Sequence, residues 1–349
     1  MRSPLLETNK IPGVRYALTT DGLELPVVDV THPAFALKVT DTEQRALTEK
    51  FLQEKGPFAG LPAPIRNALL RFFLRGSILA DGIRQARDTF MSGMHTYLLK
   101  LGPKMLGNAY AKAIDRRIAS SLPVLAVRWR LQDVAHLMAE TLLPPLLEDP
   151  TRPLQFLNIA GGSAIDSLNT LILVRKRQAE VLADRQIFVN VLDLDHVGPA
   201  FGANALASLA QEGGPLHGLQ IAFRHTPYDW HQPGDLKPVL NEAKEKRTLA
   251  ICSSEGGLFE YGSDDEIQSN LRALRESPEL VAVVGSVTRA DEPIQRLRQM
   301  GRAATHPRGL EIFRRLIAET GWKVTHAIER PFSDQVVLNL DRRFTEQHN

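Results

Sequence analysis

The stretch that decides the fold is Leu154-Gln155-Phe156-Leu157-Asn158-Ile159-Ala160-Gly161-Gly162-Ser163-Ala164-Ile165-Asp166-Ser167. Its first half is a short apolar run, which is typical of a buried strand in a parallel sheet. A run of tiny residues over 160–164 follows, and apolar residues then recur at helical spacing. A strand, a tight turn and a helix in this order point backbone N–H groups at a ligand, and small side chains let that ligand approach the backbone. A turn with a purely structural role has the same pattern, so the neighbouring strand ends have to decide between the two.

Strands and helices alternate from this stretch to the end of the chain. Apolar runs predict strands over 154–160, 187–193, 218–223, 247–253, 279–287, 322–328 and 335–341. Helical spacing predicts helices over 165–183, 198–211, 235–246, 264–276 and 306–320. Such alternation is typical of a parallel sheet that is covered by helices on both faces.

The last two predicted strands have a different relation to each other. Only residues 329–334 separate them, whereas a parallel crossover needs about a dozen residues or more and usually contains a helix. These two strands must therefore run antiparallel. We predict an α/β fold with a Rossmann-like doubly wound seven-stranded sheet whose last strand is antiparallel.

The first part of the chain has mainly helical patterns. A hairpin is predicted over 13–30 around Asp21-Gly22, which is a strong signal for a tight turn. Helices are predicted over 43–54, 62–75, 77–91, 94–100, 103–119 and 122–146. The polar, proline-rich stretch 148–153 then separates two predicted domains. Residues 1–149 form a mainly helical cap for substrate binding or dimerisation, and residues 150–349 form the ligand-binding domain.

The composition excludes several classes of protein. The 349 residues carry a formal net charge of +2, so no strong field attracts a polyanion and we expect no nucleic-acid partner. A single cysteine, Cys252, excludes an intrachain disulfide and thiolate clusters, and we predict no metal site. No apolar run approaches the ~20 residues that span a bilayer, and the N-terminus lacks the apolar core of a signal peptide. We therefore expect a cytoplasmic protein that does not enter a membrane.

Acidic and small polar residues follow the next strands, at the edge where open doubly wound sheets bind ligands. The second strand ends in Asp193-Leu194-Asp195, and a carboxylate at the end of such a strand can accept hydrogen bonds from both hydroxyl groups of a ribose. The third ends in Asp229-Trp230, which could receive the amino group and the flat face of an adenine. The fourth ends in Ser253-Ser254-Glu255. Each feature alone fits a cap, a turn or the core, but together they indicate a nucleoside site.

On these residues the chain resembles the class I S-adenosylmethionine-dependent methyltransferases. The glycine-rich first motif of that family matches residues 158–164, although the family usually has an acid at Asn158 and glycines at Ala160 and Ala164. The resemblance implies S-adenosylmethionine as the cofactor, a small-molecule methyl acceptor and an antiparallel final strand. The cofactor-binding residues at or beside the family motifs are Ala160, Gly161, Gly162, Ser163, Asp166, Asp193, Leu194, Asp229, Trp230, Ser253 and Ser254. Asp195 remains an alternative to Asp193 as the ribose ligand.

A looser resemblance, to the leucine carboxyl methyltransferase branch, rests on residues 128–133, 193–197 and 255–261. In that branch an arginine of the first segment clamps the methionyl carboxylate, which implies this role for Arg128; a salt bridge on a helix surface is the alternative. An acceptor hydroxyl or ammonium also needs a base that removes its proton. The candidates near the strand tips are Glu255, Glu260, His225, His231 and His306, of which we select His306 and Glu255.

Three functions remain open from the sequence. The leading one is methyl transfer from S-adenosylmethionine to a small molecule, with O-methylation favoured over N- and C-methylation. The second is a protein or enzyme of the same fold that binds the cofactor without transferring its methyl group. The third is a nicotinamide oxidoreductase, which predicts a G-x-G-x-x-G motif that residues 160–165 do not supply. The helical cap is expected to cover the strand tips or to pair with a second chain in a homodimer.

Overall fold

A computed structural model describes residues 10–55, 58, 60–86, 89–106, 112–300 and 304–341. Its first part contains a short hairpin of strands β1 (Tyr16–Leu18) and β2 (Glu24–Pro26). The helices described after this hairpin are α1 (Asp41–Gln53), α2 (Ala63–Leu74), α3 (Ile78–Gln85), α4 (Gly93–Leu101), α5 (Ala113–Ala119) and α6 (Leu122–Glu148). None of the helices in the described ranges is long and apolar enough to cross a bilayer.

The second part alternates strands with helices, as the sequence predicts. The strands are β3 (Leu154–Ile159), β4 (Gln186–Leu192), β5 (Gln220–Thr226), β6 (Leu249–Ser254), β7 (Leu280–Thr288), β8 (Trp322–Glu329) and β9 (Ser333–Leu340). The helices are α7 (Ile165–Arg177), α8 (Val197–Leu209), α9 (Lys237–Glu245), α10 (Leu258–Tyr261), α11 (Asp264–Arg275), α12 (Glu292–Met300) and α13 (Gly309–Ala318).

The strands of the second part form one seven-stranded sheet in the order β5-β4-β3-β6-β7-β9-β8. The first five strands in this order are parallel, whereas β9 runs antiparallel to both of its neighbours, β7 and β8. This arrangement confirms the predicted Rossmann-like sheet with an antiparallel last strand. It also brings the carboxyl ends of β3, β4, β5 and β6 to one edge, together with the predicted site residues that follow these strands.

Helices cover both faces of the sheet. One hydrophobic cluster joins the sheet to α6, α7 and α8 through residues such as Val134, Leu171 and Phe201. A second cluster on the other face includes Leu271 of α11 and Phe313 of α13. The sheet is thus doubly wound, and its strands are buried between two helical layers.

The hydrophobic core continues from the first part of the chain into the sheet. Leu25 and Tyr97 belong to the same cluster as Phe156 of β3. The side-chain amide of Asn169 on α7 also donates to the carbonyl oxygen of Val28 at 2.9 Å. The two segments on either side of residues 149 and 150 share one hydrophobic core. The division of the chain into two domains at this point therefore stays a prediction.

Several predicted helices have different bounds in the structure. The helix predicted over 77–91 ends at Gln85, and the one predicted over 103–119 begins only at Ala113, with residues 107–111 outside the described ranges. Two short helices, α10 and α12, were not predicted, because short amphipathic segments beside Gly and Pro give a weak periodic signal. Capping boxes mark the starts of α1 and α11 clearly, at Thr40 with Glu43 and at Ser263 with Glu266.

The packing of α8 onto the first turn yields a testable prediction. Gly202 of α8 lies against the carbonyl oxygen of Ser163, and a Cβ added to it would also lie 2.8 Å from the Phe223 ring. We expect Gly202→Ala to lower the free energy of unfolding by about 1–3 kcal/mol, because overpacking forces the helix away from the turn. Urea denaturation measures this change. Gly234→Ala is the matched control, since a Cβ there meets nothing within 4 Å, and equal loss in both variants would contradict the packing account.

Candidate active site

The turn after β3 is built from residues in left-handed backbone conformations. Ala160, Gly162 and Ala164 have φ values of 53°, 52° and 49°. Glycine adopts this region freely, whereas an alanine incurs a steric cost of roughly 1–2 kcal/mol. Ala160 and Ala164 stand where the family motif has glycines, and they still follow a path that favours glycine. Such strain persists only where the surrounding structure enforces it.

Asp193, at the tip of β4, is linked directly to this turn. Its carboxylate accepts a hydrogen bond of 2.8 Å from the backbone N–H of Gly162 and another of 2.9 Å from the N–H of Asp195. Burial raises the pKa of the Asp193 carboxyl, although these two hydrogen bonds act in the opposite direction. The Asp193 carboxylate therefore joins the carboxyl ends of β3 and β4. It is partly buried, and it can still accept further hydrogen bonds from a ligand.

Asp195 has a different role in this geometry. Its carboxylate accepts from the N–H of Val197 at 3.0 Å and from the N–H of Gly198 at 3.4 Å, both in the first turn of α8. These are contacts of a helix cap, which satisfies backbone donors that have no partner in the helix. The sequence allowed either acid as the ribose ligand. In the structure Asp193 contacts the turn over 160–164, whereas Asp195 caps α8.

Asn158, Asp166 and Ser253 form a buried network between β3 and β6. The Asn158 amide donates to the carboxylate of Asp166 at 2.9 Å and to the hydroxyl of Ser253 at 2.8 Å. Ser253 in turn donates to the other Asp166 oxygen at 2.7 Å. Burial and the nearby Glu255 raise the pKa of Asp166. The predicted ligands Asp166 and Ser253 thus contact each other, and they hold the two strand tips together.

The third strand tip presents a carboxylate and an aromatic ring side by side. Asp229 accepts from the His231 imidazole at 2.6 Å, and the other imidazole nitrogen lies 3.0 Å from Glu266. The hydrogen bonds from His231 lower the pKa of Asp229, and the bond to Asp229 raises the pKa of His231. The indole of Trp230 is half-buried and meets the ring of Phe90 edge-on at 6.1 Å between centroids.

Four charged side chains are buried together beyond the tip of β6. Arg130 of α6 donates to Glu255 at 2.7 Å and to Glu260 at 3.0 Å, while Lys100 of α4 is paired with the other oxygen of Glu255. Burial alone would raise the pKa of Glu255, but the attraction of Lys100 and Arg130 outweighs it and lowers that pKa. Glu255 is therefore held as a carboxylate, which makes it a weak acceptor for a substrate proton.

The contacts described for Arg128, the carboxylate clamp that the resemblance implies, are with the first part of the chain and not with a strand tip. Arg128 precedes Arg130 by two residues and so lies about 200° away from it around α6. Its guanidinium is 3.5 Å from the carbonyl oxygen of Phe35, and it also packs over Gly102. Burial lowers the pKa of Arg128, and no carboxylate among the described residues offsets this effect. The arginine that meets the edge of the sheet is Arg130.

The remaining predicted residues occupy varied positions. Ser163 and Ser254 are buried, and the Ser254 hydroxyl accepts from the N–H of Leu258 in α10. Leu194 is 60% exposed. The side chain of His306 is also exposed, but its backbone N–H donates to the Glu260 carbonyl oxygen at 2.7 Å, which keeps it beside the fourth tip. His225 contacts the carbonyl oxygen of Asp193 at 2.8 Å.

Sequence reasoning missed two groups that contribute to this edge, Lys100 and Gly93. Both lie on α4, which is far from the sheet in the sequence, and no local pattern connects them to the strand tips. A signal for Lys100 exists in retrospect, because it is flanked by the apolar residues Leu98, Leu99 and Leu101 and must be buried with them. A lysine in that setting needs a carboxylate partner.

No protein-family model and no curated protein matches the chain. Its backbone is similar to several solved structures. Magnesium protoporphyrin IX methyltransferase ChlM from Synechocystis PCC 6803, with bound SAH, has 10% identity and a TM-score of 0.42 over 78% of this chain and 99% of that chain. Mitomycin 7-O-methyltransferase MmcR has 13% identity and a TM-score of 0.38 over 86% and 73%.

A third similar structure is a variant of LepI in complex with SAH and a substrate analogue. It has 15% identity and a TM-score of 0.35, and the match spans 55% of this chain but only 44% of that chain. The TM-scores of all three likenesses are low. The fold assignment therefore rests on the strand order and on the antiparallel last strand described above.

The contact between Asp229 and His231 yields a prediction about pH. The folded state binds the imidazole proton more tightly than the unfolded chain, where the pKa is ~6.5. The stabilisation from this contact is therefore complete below that pH and is lost as the pH rises through the higher folded-state pKa. NMR titration should find the His231 pKa raised and should find it lowered by Asp229→Asn.

Asp235→Asn is the matched control for this titration. Asp235 is an exposed carboxylate of the same segment, and no hydrogen bond or ion pair with His231 is described for it. We expect this variant to leave the His231 pKa unchanged. Equal shifts in both variants would mean that general charge, and not the 2.6 Å contact, sets the pKa of His231.

Proposed function

We propose that the chain is an S-adenosylmethionine-dependent methyltransferase that acts on a small-molecule acceptor, with O-methylation favoured. The observation that carries this proposal is the 2.8 Å hydrogen bond between the Gly162 N–H and the Asp193 carboxylate. It places an acceptor for a ribose diol beside a backbone turn, at the carboxyl edge of a doubly wound sheet. The antiparallel β9 disfavours a nicotinamide oxidoreductase, whose standard sheet has no such strand.

The residues at the edge fit the parts of such a cofactor. Asp193 would hold the ribose, while Asp229 and Trp230 would receive the adenine. The turn over 160–163 would lie against the methionyl part. For the methionyl carboxylate, Lys100 and Arg130 are the cations at this edge, and Glu255 would share them with it.

When bound, the cofactor supplies the methyl group, and the protein supplies orientation and a dry environment. Tyr261 stays protonated, because burial and the nearby Glu260 raise its pKa to about 12, so it can donate a hydrogen bond but cannot act as a base. Glu255 is neutralised by two cations. His306 therefore remains the proposed base, since it is exposed to solvent and tethered next to Glu260.

One observation favours a second candidate function, a protein that binds the cofactor without transferring its methyl group. Both carboxylates beyond the fourth tip, Glu255 and Glu260, are already paired with cations. A cluster arranged in this way holds charge in place, and neither of its two carboxylates is free to act as a buried base. Transfer of a labelled methyl group to any acceptor in a small-molecule screen would exclude this candidate.

We also infer a cytoplasmic location and a homodimer. The only cysteine, Cys252, is buried and free, which suits a reducing compartment.

In α2 the side chains of Ile65, Phe72 and Phe73 are 52%, 72% and 56% exposed, and a second chain would cover them. Sedimentation at micromolar concentration tests the homodimer, and a monomer mass throughout would contradict it.

Parallel calorimetric titrations with S-adenosylmethionine, S-adenosylhomocysteine and NAD test the proposed function. We expect micromolar binding of the two adenosyl compounds, which corresponds to ~8 kcal/mol, and none of NAD. Asp193→Ala should weaken this binding about ten- to a hundredfold, because it removes charge-assisted hydrogen bonds worth roughly 1.5–3 kcal/mol.

Asp195→Ala is the control for the same titration. It should lower the free energy of unfolding by about 0.5–2 kcal/mol through the loss of the α8 cap, and it should leave cofactor affinity unchanged. Arg128→Ala should also leave cofactor affinity unchanged, since the Arg128 side chain lies on the side of α6 opposite to Arg130. Failure of both adenosyl compounds to bind the unsubstituted chain would overturn the proposal.

A further inference from the structure

Residues 90–96, which we call the gate, lie across the carboxyl edge of the sheet. They comprise the residues before α4 and its first turn. The gate contacts the segments that follow β3, β4, β5 and β6, which are the four strand tips of the proposed cofactor site. Any ligand that binds at this edge must therefore lie beneath it or beside it.

Backbone atoms of the gate rest directly on the glycine turn. A Cβ added to Gly93 would lie 2.9 Å from the Cα of Gly162 and 3.6 Å from the Cα of Gly198. A Cβ on Gly198 would in turn lie 3.0 Å from the Cα of Gly162. Three backbones thus meet where only glycine leaves enough room. The outer surface of the turn, which a ligand would approach, is covered by Gly93.

Two further contacts hold the gate at the other tips. The ring of Phe90, which is 51% exposed, meets the indole of Trp230 beyond β5. The backbone of Met91 lies close enough to the hydroxyl of Tyr261, in the helix that follows β6, to oppose the rise in the pKa of that hydroxyl. Both are weak contacts, one an aromatic edge and the other between a backbone N–H and a hydroxyl.

The residues after the gate are fixed much more firmly. Tyr97 and Leu101 are fully buried, and the Tyr97 hydroxyl donates to the Pro26 carbonyl oxygen at 2.7 Å. Lys100 is buried in its ion pair with Glu255. Met91 and Met94 of the gate also pack against the main hydrophobic cluster, but every gate residue from Met91 to Thr96 is only half-buried. A segment whose side chains are partly exposed thus adjoins a fully buried anchor, which is the pattern of a unit that opens locally.

We propose that residues 90–96 are a gate that must lift from Gly162 before the cofactor enters and that closes over it afterwards. This inference rests on the proposed function, and it adds the step that controls access to the site. The anchor over 97–101 stays in place, so the motion is confined to the first turn of α4 and the residues before it. Closing over the cofactor also excludes water from the reacting groups.

Hydrogen exchange and stopped-flow fluorescence test the gate with matched variants. Gly93→Ala places a methyl group against Gly162 and should destabilise the closed form. Tyr261→Phe removes only the hydroxyl that lies beside the Met91 backbone, and it covers the case in which Gly93→Ala fails to fold. In the ligand-free chain we expect amide exchange in residues 90–96 to rise about two- to tenfold in Tyr261→Phe and at least as much in Gly93→Ala. Exchange in 97–101 should not change, and neither should exchange in the control Gly234→Ala.

The rates of S-adenosylhomocysteine binding complete the test. Trp230 is the fluorescent reporter, because Trp129 and Trp322 are 1% exposed and belong to other hydrophobic clusters than the one that the gate packs against. Both variants should associate and dissociate faster than the unsubstituted chain, and the bound ligand should slow exchange in 90–96 about tenfold or more. Unchanged exchange and unchanged rates, in a chain that does bind the compound, would overturn the gate alone. Absence of binding to the unsubstituted chain would instead overturn the proposed function and with it the gate.

Discussion

The close approach of three backbones at Gly162 is the constraint on which this edge of the molecule depends. The first turn after β3, the start of α8 and the start of α4 meet there, at separations that leave no room for a side chain. The N–H of the same residue is held by Asp193. Because Ala160 and Ala164 on either side are left-handed despite their methyl groups, the surrounding packing must supply roughly the 1–2 kcal/mol that each costs. The backbone of this turn is therefore already ordered before a ligand binds to it.

Buried charge links the helical first part of the chain to the sheet, beyond the carboxyl end of β6. Lys100 and Arg130 come from the helical part of the chain, and Glu255 and Glu260 come from the segment after β6. Their charges balance, so the cluster is stable as a unit, but removal of one member would leave an uncompensated charge at a cost of about 3–5 kcal/mol. The cluster also explains why a carboxylate next to the proposed site is a poor base. It fixes the position of α4 at Lys100, whereas no ion pair is described for the residues near Gly93.

Much of this architecture could be predicted from the sequence. The apolar runs located every strand of the seven-stranded sheet within a few residues, and the short connection over 329–334 was enough to predict the antiparallel pair. The turn over 160–164 and the acid at 193 were predicted as neighbours, because the carboxyl ends of parallel strands share an edge.

The side chains that join distant segments could not be predicted in this way. Arg128 and Arg130 differ by two residues, and only the packing of α6 determines which of them faces the sheet. Asp193 and Asp195 both precede α8, and the sequence does not define which of them caps the first turn of that helix. Lys100 and Gly93 reach the edge through tertiary contacts, for which no local periodicity exists.

A crystal structure of the chain with S-adenosylhomocysteine would test the central claim most directly. The account predicts that the ribose hydroxyls lie within hydrogen-bonding distance of the Asp193 carboxylate, with the adenine beside Asp229 and Trp230 and the gate closed above the ligand. A ligand bound elsewhere, with the Asp193 carboxylate still occupied only by the N–H groups of Gly162 and Asp195, would contradict it.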